Sequence, residues 1–189
     1  PHSGHSSFFF INHNVDMKNI VLLGATGSIG ESCLNVLRQN ISNFNLFGIA
    51  FGSNISQAKR ISQEFQPEHI FIGKTVNPDD LIELQSVSNV LTSEEDLKQL
   101  IQNSQVDIVI SAISGFEGLL ASYFAIESGK TILVANKESI VAAGDILMPL
   151  AKNKNALIIP IDSEHNAIHQ CLGNKKNLKE ISKVLITAS

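Results

Sequence analysis

From Lys18 onward, short runs rich in Val, Ile and Leu alternate with longer runs of helical period, almost without a break. Ile20-Val21-Leu22-Leu23 reads as a buried strand. Gly27 to Asn40 reads as a helix with Ile29, Cys33, Leu34, Val36 and Leu37 on its apolar side, and Phe44 to Phe51 as a second strand. Further helices are expected over Ser56 to Phe65, Pro78 to Leu84, Ser93 to Asn103, Gly118 to Ser128, Glu138 to Lys152 and Ser163 to Leu172. Strands are expected at His69 to Ile72, Val90-Leu91, Val106 to Ile110, Thr131 to Ala135, Leu157 to Ile159 and Val184 to Ile186. Ser93 before Glu94-Glu95 is a helix start, and Gly129 a helix stop. Parallel strands need crossovers, and helical crossovers are right-handed, so this order implies a doubly wound, Rossmann-like α/β fold with a mostly parallel sheet.

The length of 189 residues suffices for one domain and the start of another. We expect an extension over 1–16, a nucleotide-binding domain over 17–162, and the beginning of a second, catalytic domain over 163–189. Pro1 to Asp16 contains no Lys or Arg, so it fits neither a secretory signal nor an Arg-rich transit peptide. It reads as a non-native or disordered extension, with Met17 as the native start and the cytoplasm as the expected location. A net charge of -4 gives no basic footprint for nucleic acid. No apolar run approaches the roughly 18 residues of a membrane span. Cys33 and Cys171 are too few for a disulfide framework and read as buried, reduced thiols.

Gly24-Ala25-Thr26-Gly27-Ser28-Ile29-Gly30 lies between the first strand and the first helix, where a dinucleotide fold carries its phosphate loop. The chain must turn there, a side chain at Gly27 would block a pyrophosphate, and free N–H groups at the helix start face the anion. The spacing G-x-x-G-x-x-G resembles that of many NADP-dependent reductases. The alternative is a turn that serves only helix–strand packing. An NAD site places an acid at the end of the second strand to hold the ribose 2′-hydroxyl. Here Phe51-Gly52-Ser53-Asn54 has none, and Ser53 and Asn54 can donate to a 2′-phosphate. NADP is therefore favoured over NAD. Lys59 and Arg60 follow about a turn later and read as a solvated helix face.

Two segments sit at the ends of later strands, the edge where open α/β sheets bind ligands. They are Ala135-Asn136-Lys137-Glu138-Ser139 and Asp162-Ser163-Glu164-His165-Asn166. Asp162 and Glu164 suit helix capping. They equally suit a hard cation such as Mg²⁺ or Mn²⁺, which takes one or two carboxylates and completes its shell with water and substrate oxygens. Ser163 could bond a substrate hydroxyl. His165 and His169 are one turn apart, but without an H-E-x-x-H arrangement His165 reads as structural. Lys137 is either a surface lysine or a cation beside an anionic ligand.

Together, the glycine loop, Gly52-Ser53-Asn54, Gly129-Lys130-Thr131, A-N-K-E-S and D-S-E-H-N-A-I resemble the 1-deoxy-D-xylulose 5-phosphate reductoisomerase family, from Met17 to Ser189. The resemblance implies an NADPH-dependent enzyme that uses Mg²⁺ or Mn²⁺ (or Co²⁺), acts on a small phosphorylated sugar and is a homodimer at full length. It implies that Thr26, Gly27, Ser28 and Ile29 hold the NADPH phosphates, with Gly52, Ser53 and Asn54 at the adenosine end. Asn136 and Glu138 would contact the cofactor. Lys137, Ser163, Glu164 and Ser189 would bind substrate, with Lys137 and Glu164 catalytic, and Asp162 and Glu164 would ligate the metal. Many members carry Lys or Arg where this chain has Ser53. A further metal-ligating Glu, the phosphate site and a flap lie downstream in the family, so these residues alone are expected to hold NADPH without turnover. Two other readings stand beside this one. A semialdehyde dehydrogenase of the G-A-T-G type needs a poised nucleophilic Cys, and neither cysteine is placed for it. A non-catalytic NADP-binding module would not require Asp162 and Glu164.

Overall fold

The computed structural model describes residues 16–74, 76–113, 117–135, 137–173 and 181–185. Its elements are β1 (Lys18–Leu23), α1 (Ser28–Gln39), β2 (Phe44–Phe51), α2 (Ile55–Phe65), β3 (His69–Ile72), α3 (Pro78–Gln85) and β4 (Asn89–Leu91). They continue with α4 (Glu94–Gln102), β5 (Ile108–Ser111), α5 (Glu117–Glu127), β6 (Thr131–Val134), α6 (Lys137–Lys154), β7 (Leu157–Pro160) and α7 (Ser163–Leu172). The strands form one seven-stranded sheet in the order β4-β3-β2-β1-β5-β6-β7, and every pairing is parallel. The doubly wound, Rossmann-like fold expected from the alternation is the one observed.

A parallel strand covered on both faces still alternates its side chains between two cores. In β1, Ile20 and Leu22 enter the layer shared with Leu34 and Leu37 of α1 and Ala58 and Ile61 of α2. Val21 and Leu23 enter the opposite layer, with Leu100 of α4, Phe124 of α5 and Leu147 of α6. Leu22 and Leu23 are both fully buried. The helix starts follow their local chemistry. Asn54, Asn77 and Ser93 accept from backbone N–H groups in the first turns of α2, α3 and α4, and Ser93 with Asp96 completes a capping box. Gly129, at a φ of 69°, ends α5 as expected.

Some expectations give way. Ile29 and Val36 are exposed, because the 3.6-residue period turns Gly30, Leu34 and Leu37 onto the sheet and leaves those two a step to the side. Cys171 is exposed and only Cys33 is partly covered; burial pushes the Cys33 thiol up. Residues 181–185 carry no strand, and Ile186 lies outside the described residues. Lys59 is no free surface lysine: its Nζ bonds Asp80 at 2.7 Å and also Glu83, tying α2 to α3.

Two glycines of the loop belong to the packing. Gly24 has a φ of +83°, and a Cβ there would stand 2.5 Å from the Ala112 carbonyl oxygen. A Cβ on Gly30 would meet the Gly24 oxygen and stand 2.6 Å from that of Ala25. We expect Gly30→Ala to cost about 1–3 kcal/mol or more, since the obstacles are backbone atoms. Gly52→Ala, with nothing within 4 Å of its Cβ, should stay within about 0.5 kcal/mol. Urea unfolding of both variants checks this. At the amino edge of the sheet, burial raises the pKa of Asp107, but the Asn19 N–H (2.9 Å) and the Lys18 ammonium (3.0 Å) outweigh it and hold the carboxyl below its ordinary value. A depressed carboxylate stabilises the fold above the unfolded pKa and loses that effect as pH falls through the folded one. Asp107→Asn should therefore reduce the acid-side loss of stability below about pH 4, as read by melting temperature against pH.

Candidate functional site

The strand order switches direction at β1, where β2 leaves to one side and β5 lies on the other. α1 then packs on one face of the sheet and α5 on the other. Connections that diverge in this way leave a crevice beyond the carboxyl ends of the two strands. A cleft of about 680 Å³ lies there. Its walls are the glycine loop (Gly24, Gly27), the end of β2 (Phe51, Gly52), the turn after β3 (Gly73, Lys74) and the residues after β5 (Ala112, Ile113).

Two glycines in these walls are not demanded by the protein itself. A Cβ on Gly27 would have only the Gly24 oxygen, at 3.4 Å, for a neighbour, and a Cβ on Gly52 would have none within 4 Å. Both would instead project into largely open space. Gly27 is also the N-cap of α1 and supplies no side-chain oxygen, in contrast to the side-chain-capped α2, α3, α4 and α7. The first-turn N–H groups of α1 therefore stand ready for an anion. Thr26 is half-buried in the loop, and Ser28 and Ile29 are exposed on the first turn.

Ser53 is exposed just past β2. Asn54 is occupied as a cap: its Oδ1 accepts from the Gln57 N–H at 3.2 Å and the Ser56 hydroxyl at 3.1 Å. With Arg60 it borders a separate depression of about 470 Å³ between α1 and α2. There Arg38 bridges Glu31 and Glu64, and those two carboxylates hold its guanidinium protonated beyond its ordinary range.

The two later motifs meet at the ends of β6 and β7. Lys137, the first residue of α6, has its Nζ 3.8 Å from Glu164 Oε1. Glu164 also accepts from the Ser163 hydroxyl at 2.8 Å. Its own backbone N–H, the Ser163 hydroxyl and the Lys137 charge hold its carboxyl below the usual range. Asp162 caps α7, accepting from the His165 backbone N–H at 3.2 Å, and meets the His165 ring Nδ1 at 2.6 Å. Burial would raise the pKa of Asp162, but these His165 contacts outweigh it and hold the carboxylate ionised. His165 thus pairs with Asp162 through both its backbone and its ring. Glu138 is exposed one residue beyond Lys137. Asn136 and Ser189 lie outside the described residues. Among the described residues no three His, Cys, Asp or Glu side chains converge as a metal cluster, so this chain offers a pair of acids. The pair does not line the 680 Å³ cleft but stands further along the same rim, beyond β5 and β6.

Gly73, Lys74, Thr92, Glu94, Ala112 and Ile113 are cleft residues that sequence reasoning missed. They belong to no motif, and only their positions just past strand ends could have marked them.

Sheet order, crevice and glycine loop together define a protein of the Rossmann-like α/β class. A family model described as 1-deoxy-D-xylulose 5-phosphate reductoisomerase matches residues 20–144, and the model of that enzyme's C-terminal domain matches residues 158–189. The chain belongs to the 1-deoxy-D-xylulose 5-phosphate reductoisomerase family. The Bacillus cereus (strain AH187) enzyme of that name is 43% identical over 176 residues, which cover 92% of this chain and 45% of the relative. That of Francisella tularensis subsp. novicida is 43% identical over 172 residues, 90% of this chain and 44% of the relative. A DOX-P reductoisomerase solved in complex with NADPH, fosmidomycin and magnesium superimposes with a TM-score of 0.76 at 37% identity, over 84% of this chain and 40% of that one. The Zymomonas mobilis reductoisomerase in complex with NADPH gives 0.77 at 29% identity, over 84% and 42%. A homoserine dehydrogenase from Thiobacillus denitrificans, at 0.52 and 22% identity, shares the fold alone. The chain spans somewhat under half the length of the curated relatives it matches.

Capping and cation binding are not exclusive roles for Asp162. We expect Asp162→Ala to weaken the start of α7 by about 0.5–2 kcal/mol, seen as faster amide exchange at His165. Unchanged exchange there would contradict the capping role.

Proposed function

We propose that the cleft holds NADPH, that Asp162 and Glu164 hold a divalent cation, and that the full-length protein is a 1-deoxy-D-xylulose 5-phosphate reductoisomerase. In that reaction a phosphorylated ketose skeleton rearranges to a branched aldehyde, which is reduced to 2-C-methyl-D-erythritol 4-phosphate for isoprenoid synthesis. The observation that carries the reading is a helix start without a side-chain cap, beside two glycines whose missing side chains leave the cleft wall open. Membership of the family and the ligands named for its solved relatives support it.

The cation fits the residues present. Two ionised carboxylates two residues apart are hard oxygen donors, and Mg²⁺ or Mn²⁺ commonly takes one or two such groups and keeps waters for the rest. When bound, NADPH supplies a hydride and the cation a Lewis acid for charge on vicinal oxygens. The chain's own contribution is placement. The amides of Ser28 and Ile29 receive the pyrophosphate above Gly27, with Thr26 beside them, and Gly52, Ser53 and Asn54 receive the adenosine end. Asn136 and Glu138 are assigned to the cofactor by the family resemblance. The Lys137 ammonium would attract an anionic substrate, and Glu164, 3.8 Å from it, would ligate the cation. Ser163 orients a substrate hydroxyl, and Ser189 is assigned to substrate by the family resemblance.

We further infer a domain boundary near Asp162, a cytoplasmic homodimer at full length, and NADPH binding without turnover by these 189 residues. Fluorescence titration should give saturable NADPH binding to this chain, lost in Gly27→Val, whose Cβ would meet only the Gly24 oxygen, at 3.4 Å, and whose methyl groups would fill the approach to α1. Calorimetric Mg²⁺ titration of the NADPH-loaded protein should show a heat that both Asp162→Ala and Glu164→Ala remove. Equal NADPH binding by Gly27→Val sinks the cofactor reading. Equal Mg²⁺ heats in the carboxylate variants sink the metal reading.

A further inference from the structure

We propose that Lys74 selects a 2′-phosphorylated dinucleotide by setting an ammonium group beside the adenosine ribose. This deepens the NADPH reading of the cleft and rests on it.

The placement follows from strand register. β2 and β3 pair in parallel with Phe51 opposite Ile72, and the Gly73 N–H donates to the Phe51 carbonyl at 2.9 Å. Gly52 and Gly73 therefore leave the sheet from neighbouring strands at the same level, and Lys74 follows Gly73 into the cleft wall. Neither glycine is demanded by its surroundings. A Cβ on Gly52 would touch nothing within 4 Å, and one on Gly73 would make only ordinary contacts, at 3.5 Å to the Phe51 oxygen and 3.9 Å to the Phe71 ring. The result is a shelf without side chains in the cleft wall, with the Lys74 ammonium at its end.

A count of nearby cations singles out Lys74. Lys59 is held by Asp80 and Glu83 on α3. Arg38 is held by Glu31, Asn35 and Glu64. Arg60 borders the depression between α1 and α2, where Glu31 and Glu64 also lie, and not the cleft. Lys74 is exposed, lines the cleft, and among the described residues has no hydrogen-bond or ion-pair partner. An unpaired ammonium held beside an open shelf attracts an anion, and a monophosphate is the anion a dinucleotide can offer at its ribose. The end of β2 has no carboxylate to accept from a 2′-hydroxyl or to repel a 2′-phosphate. The one acid in the cleft wall, Glu94 in the first turn of α4, disfavours the phosphate near it and leaves the β2–β3 shelf as its seat.

The test is the affinity of the chain for NADPH and NADH, measured by fluorescence titration for wild type, Lys74→Ala, Lys74→Glu, Lys74→Arg and Arg60→Ala. Lys74→Ala should weaken NADPH binding about tenfold or more and leave NADH within about twofold. Lys74→Glu should weaken NADPH further, and Lys74→Arg should restore most of the loss. Arg60→Ala should leave the ratio of the two affinities unchanged. The proposal is overturned if Lys74→Ala binds NADPH like wild type, if it loses both cofactors equally, or if Arg60→Ala is the variant that abolishes the preference. Wild-type protein that binds neither nucleotide overturns the cofactor reading itself, an outcome distinct from a Lys74 variant that leaves NADPH binding intact.

Discussion

The Ala112 carbonyl oxygen lies 2.5 Å from where a Cβ on Gly24 would stand, and the Gly24 and Ala25 oxygens crowd the corresponding point on Gly30. At this junction the end of β1, the start of α1 and the end of β5 approach as closely as backbones can. A side chain at either glycine would push α1 off the sheet or β5 away from β1. Either shift would open the layer filled by Leu22, Leu34 and Leu37. The switch in strand order, the crevice above it and the exposed start of α1 all depend on this contact.

The rim of the sheet is level because its hydrogen-bond ladder runs on past the strands. Ala112 donates to Leu23, Ala135 to Ser111 and Ile161 to Val134, each at 2.9–3.0 Å. On the other side of β1, Gly73 donates to Phe51 at 2.9 Å. Each connection therefore leaves the sheet at a similar height, and side chains that follow different strands share one edge. Lys137 meets Glu164 for this reason, although they lie in separate motifs. The same continuation brings the shelf at Gly52 and Gly73 into the cleft.

Charge along that rim is divided. On the β2–β3 side the cleft wall is nearly bare, with Lys74 and Glu94 as its charged side chains. At the far side Asp162 and Glu164 are ionised, steadied by His165, Ser163 and Lys137. Hydrogen bonds from neighbours hold both carboxylates in the charged form, at Asp162 against the cost of partial burial. An edge that is open at one end and acidic at the other can hold a phosphate-bearing cofactor and a cation without placing the two in direct competition.

Strand–helix alternation, the glycine loop, the Ser93 cap and the Gly129 stop were legible in the sequence because each is a local preference, expressed within a few residues. The A-N-K-E-S and D-S-E-H-N-A-I motifs were legible as a pair, though not as neighbours. What the sequence could not say concerned distance across the sheet. It put Lys59 on a solvated face, Ile29 and Val36 on the apolar side and Cys171 in the interior, where the structure ties Lys59 to α3 and exposes the other three, and it gave no sign that Lys74 would line the cleft. Those outcomes follow from strand order, register and which helix face meets the sheet, and long-range packing sets these by burying one set of apolar side chains at the expense of another. The sequence alone determined the kind of fold and the kinds of chemical group at its edge; the tertiary structure alone decided which of those groups share a cleft, because parallel strands bring together residues that no local spacing connects.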